Sequence, residues 1–296
     1  PGGASANPSR LTPAGDTLFF TAHDSVHGRE LWKTDGTPEG TLLVKDLFPG
    51  RQDSAPSEPV AVGGTLFFFA SDAVHGRELW KSDGTPEGTL LVKDLPAAST
   101  SYGLFGLVAR GTTLFFIADD GVHGRELWKS DGTAEGTVMV ADIAPGATSA
   151  FPSAYGYLPG SRPLTVSGGT LYFAADDGVH GSELWKSDGT AEGTVLVSDL
   201  TPGAGSSALQ NVRFIPASPH GDIAFPFAND AGGMEPWTSD GTAEGTRPLA
   251  DLAPGPLSSS PANLTVSGSR LFFVADEGEH GRELWSLKQA ALLHQP

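Results

Sequence analysis

One phrase recurs through this chain, and every copy is built around a tryptophan. The copies read HGRELWKTDGTPEGTLLVKDL from His27, HGRELWKSDGTPEGTLLVKDL from His75, HGRELWKSDGTAEGTVMVADI from His123 and HGSELWKSDGTAEGTVLVSDL from His180. A divergent copy, GGMEPWTSDGTAEGTRPLADL, starts at Gly232, and a truncated one, HGRELWSLK, starts at His280. The anchors Trp32, Trp80, Trp128, Trp185, Trp237 and Trp285 are all 6 tryptophans of the protein. Their spacings of 48, 48, 57, 52 and 48 residues give a period near fifty. With strand-like content, that period means an array or ring of small sheets.

One unit reads as four short strands. In the fourth copy these are Leu164–Ser167, Thr170–Ala175, Ser182–Lys186 and Thr194–Leu200, each rich in Leu, Val, Phe, Tyr or Trp and bounded by Gly, Asp, Ser or Pro. Gly168-Gly169 joins the first pair, the loop from Asp176 to Gly181 joins the second, and Ser187-Asp188-Gly189-Thr190 opens the third connection. No segment carries a helical period. The pattern predicts an all-β chain, a six-bladed β-propeller with four antiparallel strands per blade. The blades fall near 9–48, 58–96, 104–144, 163–201, 211–253 and 262–296, as one domain over 1–296. The last blade is expected to take its fourth strand from Ala290–His294, and the ring to close without a shared blade. A linear solenoid is the alternative, but its period is usually shorter.

Composition narrows the function classes. There are 0 cysteines, which excludes disulfides, thiolate metal sites and cysteine catalysis. The net charge of −17 repels nucleic acid and anionic lipid. No apolar run reaches the length of a membrane helix. The chain opens on Pro1 and contains no signal peptide, which leaves room for an export leader upstream. The 39 glycines and 23 prolines fall at fixed places in the repeat and read as turn chemistry.

The core ELWKSDGTAEGT resembles the ELWxxDGT repeat family of bacterial secreted and surface proteins, and the resemblance runs over nearly the whole chain. It implies export and binding, a location outside the cell or on its surface, and no catalytic residues. The fifth and sixth copies depart from the motif, with Pro236 in place of the leucine and Ser286-Leu287-Lys288 in place of the KSD stretch.

Six equivalent copies of a residue argue for architecture, because catalytic carboxylates come as one pair in one pocket. Each tryptophan is expected to pack between blades. The glutamate two residues before it (Glu30, Glu78, Glu126, Glu183, Glu235 and Glu283) is expected to set blade geometry through hydrogen bonds or ion pairs. The histidine five residues before it (His27, His75, His123, His180 and His280) is expected to bond within its own turn. Its spacing resembles metal ligands, but no helix aligns the residues. No cofactor is expected. The acidic loops at Asp119, Asp120, Asp176 and Asp177 are the one alternative, as oxygen ligands for calcium. No nucleophile elbow is present.

The repeat breaks in its connections between blades. These connections leave the sheets at the same end as the His-Gly loops, and long, variable loops favour ligand sites. They hold Tyr102, Phe105, Phe151, Tyr155 and Tyr157, of which at least two are expected to be solvent-accessible and to line one concavity near the third and fourth blades as stacking side chains. The alternative is that these aromatics plug the channel or cover the core. The fifth blade also diverges, and its pairing would set Pro226 almost opposite Pro236. The reading is a binding or adhesion module for glycan or protein, with no nucleic-acid partner and no membrane insertion. The alternatives are an enzyme, a lyase or glycosidase with one asymmetric pocket, and a purely structural surface protein.

Overall fold

The computed structural model describes residues 5–95, 103–151, 162–205, 207, 209, 212–228 and 233–288. The described residues contain no α-helix. They form six antiparallel, blade-like sheets of three or four strands. The chain divides into two compact units, Pro1–Met139 and Val140–Pro296.

In the first unit, the first sheet holds β1 (Ser9–Ala14), β2 (Thr17–Asp24), β3 (Gly28–Thr34) and β4 (Leu42–Lys45). The second holds β5 (Ser57–Val62), β6 (Thr65–Asp72), β7 (Gly76–Ser82) and β8 (Leu90–Lys93). The third holds β9 (Leu104–Arg110), β10 (Thr113–Asp119), β11 (Arg125–Ser130) and β12 (Val138–Ala141), and the division between the units falls inside β12. All three are simple meanders. Neighbouring sheets meet through their first strands, β1 against β5 and β5 against β9.

In the second unit, the fourth sheet holds β13 (Thr165–Ser167), β14 (Thr170–Asp176), β15 (Ser182–Ser187) and β16 (Val195–Ser198). The fifth holds β17 (Ile215–Pro216), β18 (Ile223–Ala228), β19 (Met234–Ser239) and β20 (Arg247–Pro248). The sixth holds β21 (Ala262–Ser267), β22 (Arg270–Asp276) and β23 (Arg282–Lys288). The strand expected at Ala290–His294 lies outside the described residues. Here β13 meets β17, and β17 meets β21.

The core lies between sheets because the middle strands are apolar on both faces. Adjacent strand residues point to opposite faces, so the Leu79-Trp80 pair of the second sheet serves two neighbours. Leu79 packs with Leu104, Phe116 and Trp128 of the third sheet, while Trp80 packs with Phe19, Leu31 and Val44 of the first. Trp237 and Trp285 sit in the same way against the fourth and fifth sheets. Trp80 also donates its indole N–H to the Ala70 carbonyl at 3.1 Å. Trp80, Trp128, Trp237 and Trp285 are therefore joints between neighbouring sheets, and burial of such a side chain contributes about 2–3 kcal/mol.

The fifth sheet is thin because its prolines sit in the ladder. Pro226 lies directly opposite Pro236, and the flanking β17 and β20 have 2 residues each. The Gly168-Gly169 turn has both residues at positive φ, 55° and 83°, the backbone of a two-residue hairpin.

Candidate binding site

The residues that most resemble catalytic or metal chemistry are bound into their own repeats. In four of the His-Gly loops an aspartate caps the turn. Asp177 Oδ1 accepts the N–H groups of Val179 and His180, both at 2.9 Å, and Oδ2 meets His180 Nδ1 at 2.7 Å. Asp24–His27, Asp72–His75 and Asp120–His123 repeat this pair at 2.7, 2.7 and 2.8 Å, and Glu277 pairs with His280. Hydrogen bonding to the carboxylate raises the histidine pKa in His27, His75 and His180. Burial pushes the Asp24, Asp72, Asp120 and Asp177 carboxyls up, but bonds from the ring and the loop amides outweigh it, and the net shift is down. The glycine after the histidine is required by a close approach. At Gly181, φ is 71°, and a Cβ would strike the Gly205 carbonyl of the outgoing connection.

In the first and fifth sheets the repeated glutamate ties the sheet to the connection that leaves it. Glu30 accepts the Leu47, Phe48 and Ser54 amides at 3.3, 3.4 and 3.1 Å and the Ser54 hydroxyl at 2.5 Å. Glu235 does the same with Leu252 N, Ser259 N and Ser259 Oγ. Burial pushes the Glu30 and Glu183 carboxyls up to about 7 and Glu78 up to about 8. The Ser-Asp-Gly-Thr segment is likewise a self-bonded loop. Asp188 Oδ1 accepts Thr190 N and Oγ1 at 2.8 and 2.7 Å, Thr190 Oγ1 accepts Gly193 N at 3.0 Å, and Thr194 Oγ1 donates to Thr190 O at 2.7 Å.

Two of the five candidate rim aromatics are core residues, which corrects the expectation for Phe105 and Phe151. Phe105 is buried in β9 opposite Ile117. Phe151 is fully buried, with its ring centroid 5.6 Å from that of Phe173. The connections deliver them into the sheets: Gly103 O and Ala150 O accept the amides of Asp119 and Asp176, the last residues of β10 and β14. Tyr102, Tyr155 and Tyr157 lie outside the described residues. Of the acids weighed for calcium, Asp120 and Asp177 are held as above, and Asp119 and Asp176 each accept a glycine amide at 2.8 Å. The described residues contain no group of three or more His, Asp or Glu placed to hold a metal ion.

Other features stand out at this end of the sheets, and sequence reasoning missed them. The first is a valine at the tip of four His-Gly loops. Val26, Val74, Val122 and Val179 are 60%, 81%, 62% and 64% exposed. Their only signal was recurrence of an apolar residue between polar ones. The second is a β-bulge near the start of the first strand, where the ladder skips two residues: between Ser9 and Thr12 in the first sheet, Ser57 and Val60 in the second, and Ala262 and Thr265 in the sixth. Each bulge carries a left-handed residue 22 positions before its tryptophan: Arg10 at φ 54°, Glu58 at 49° and Asn263 at 55°, with Gly106 at 75° in the third sheet. Arginine and glutamate are unusual there, and such strain collects at functional sites. No shared residue type marks the position, so only alignment by tryptophan spacing reveals it.

Arginines converge on these bulges in the first unit. Arg29 Nη1 donates to Asn7 O at 3.2 Å. Arg77 Nη2 donates to Ser57 Oγ at 2.7 Å, and its guanidinium stands 5.3 Å from the Phe69 ring centroid. Burial lowers the Arg77 pKa; the Glu58 charge opposes this and the Arg10 charge adds to it. The matching positions are Arg125 in the third sheet, Ser182 and Met234 in the fourth and fifth, and Arg282 in the sixth.

No family model matches the sequence, and no curated protein matches it. Among solved structures, prolyl oligopeptidase B from Galerina marginata is similar over 97% of this chain and 43% of its own, at 10% identity and a TM-score of 0.52. A puromycin hydrolase is similar over 97% of this chain and 53% of its own, at 15% identity and a TM-score of 0.48. TolB from Acinetobacter baumannii is similar over 95% and 63%, at 13% identity and a TM-score of 0.40. The chain spans about half the length of the first two. The likeness to the oligopeptidase concerns the fold alone.

Proposed function

We propose that this chain is an extracytoplasmic binding or adhesion module of the ELWxxDGT type. In this reading it is a closed six-bladed β-propeller that takes a glycan or protein ligand at the end of its sheets bearing the His-Gly loops. Closure is supported by a residue that breaks the burial pattern of the repeat. Leu284 is 72% exposed where Leu31, Leu79, Leu127 and Leu184 are buried. A ring gives this face a partner.

The observation that carries the binding reading is the set of exposed loop-tip valines. Their backbone amides serve the Asp turn, their side chains have no such role, and the same exposed apolar side chain recurs at the same loop position in four repeats. The bonded state of the repeated His and Asp side chains supports binding over catalysis. The test is a glycan array and a peptide array probed with the intact protein and with Val26→Ser/Val74→Ser/Val122→Ser. Ligand capture by the parent, lost in a variant of unchanged melting temperature, is the expected result. Equal capture by both, or capture by neither, overturns the reading.

A further inference from the structure

The bulge of one sheet is served by a side chain from the bulge of the sheet before it. Glu58, in the second sheet, lends its carboxylate to the third: Oε2 accepts the consecutive amides of Gly106 and Leu107 at 2.7 and 3.0 Å. The ladder of the third sheet runs from Phe105 to Val108 and pairs neither residue between them. Successive N–H groups beside a left-handed residue form a concave nest for an oxygen atom. The side chain that fills it comes from the matching position, 22 residues before the tryptophan of the preceding copy.

In the first sheet that position is Arg10. Arginine has no acceptor. The bulge that follows it in the second sheet is Glu58-Pro59, and proline has no N–H to offer. A side chain that accepts therefore precedes a bulge with two amides, and one that only donates precedes a bulge with one.

The first sheet has a two-amide bulge of its own. The ladder skips Arg10 and Leu11, and Arg10 takes the left-handed conformation at φ 54°. By the order of the repeat, the acceptor for these amides stands in the copy that precedes the first. In a closed ring that copy is the sixth, and its residue at the matching position is Asn263, left-handed at φ 55°. Asparagine tolerates this backbone better than most residues, and its carboxamide oxygen can accept two hydrogen bonds. A sheet that closed over the first would take both amides out of water, where each needs a partner.

We propose that Asn263 is the clasp of the ring, with its Oδ1 accepting the Arg10 and Leu11 amides. The partner of this face of the first sheet is then the sixth sheet of the same chain. This rests on the closed ring proposed above and names the contact that closes it.

The test is amide hydrogen exchange in the isotopically labelled full chain, read at Arg10 and Leu11 by nuclear magnetic resonance. Both amides are expected to exchange at least about tenfold more slowly than in an unstructured chain. Asn263→Gly copies Gly106 of the third sheet and keeps the left-handed backbone. It is expected to abolish that protection at both positions while the amides of β6 and β7 keep theirs. Asn263→Glu copies Glu58 and supplies a charged acceptor, and is expected to match or exceed the protection of the parent. Fast exchange of both amides in the parent, or equal rates in the parent and Asn263→Gly, overturns the proposal. If Asn263→Gly does not fold, the glutamate variant decides, because exchange faster than in the parent overturns it. Protection that rises with protein concentration assigns the acceptor to a second copy and also overturns it. If distances between the first and sixth sheets report a ring while the two amides ignore residue 263, only the clasp falls and the closed ring stands.

Discussion

At the scale of single residues, the tryptophan and the glutamate of each repeat divide the structural work. Trp80 joins two sheets, so Trp80→Ala is expected to destabilise by about 3–5 kcal/mol, the range for removing a large aromatic from a core. A thermal or denaturant melt measures it, and a change within about 0.5 kcal/mol would place the ring at the surface. The arginine between His-Gly and Glu lies on another path, reaching to the first strand, as Arg77 does to Ser57. That separation explains why Arg and Glu recur side by side without neutralising each other.

At the scale of the element, the loop after the third strand is a closed circuit of short hydrogen bonds. Thr85 Oγ1 donates to Asp83 Oδ1 at 2.7 Å and accepts Gly88 N at 2.9 Å. Thr85→Val keeps the shape and removes both bonds. It is expected to cost about 1–3 kcal/mol, with Thr85→Ser recovering most of the loss in the same melts. Much of this level was legible in the sequence. The alternating strands, the Gly168-Gly169 hairpin, the Asp-His turn and the facing prolines of the fifth sheet all follow from local spacing. Where an aromatic beside a break in the repeat would go was not legible. Phe105 enters a first strand and Phe151 packs on Phe173 because the connections feed directly into sheets, and composition does not distinguish a rim from a strand entrance. The bulges at Arg10, Glu58, Gly106 and Asn263 were hidden for another reason: a backbone conformation recurs there without a recurring side chain. Loop-tip valines were visible as letters, but their exposure depends on how each turn projects.

At the scale of the whole molecule, titration sets a pH dependence. Burial raises Glu30 and Glu183 to about 7 and Glu78 to about 8, against roughly 4.3 in an unfolded chain. Their contribution to stability is complete below the unfolded value and is lost as pH rises through the folded values. The histidines raised by their carboxylate partners act in the same direction, from roughly 6.5 upward. The lowered aspartates oppose it only in acid, below roughly 3.9. The melting temperature is therefore expected to peak near about pH 5 and to fall toward pH 8. A profile that rises across that interval would show these glutamates to be ionised in the folded state.

Closure of the sheets into a ring is the central proposal at this scale, and the absence of native cysteine makes it directly measurable. Spin labels on Thr17→Cys/Thr65→Cys report the spacing of equivalent residues in two neighbouring sheets, the first and the second. Labels on Thr17→Cys/Arg270→Cys report the same repeat position in the first and sixth sheets. A distance distribution for the second pair that overlays the first is the predicted result for a six-bladed ring. A distribution centred at a clearly longer distance would contradict it.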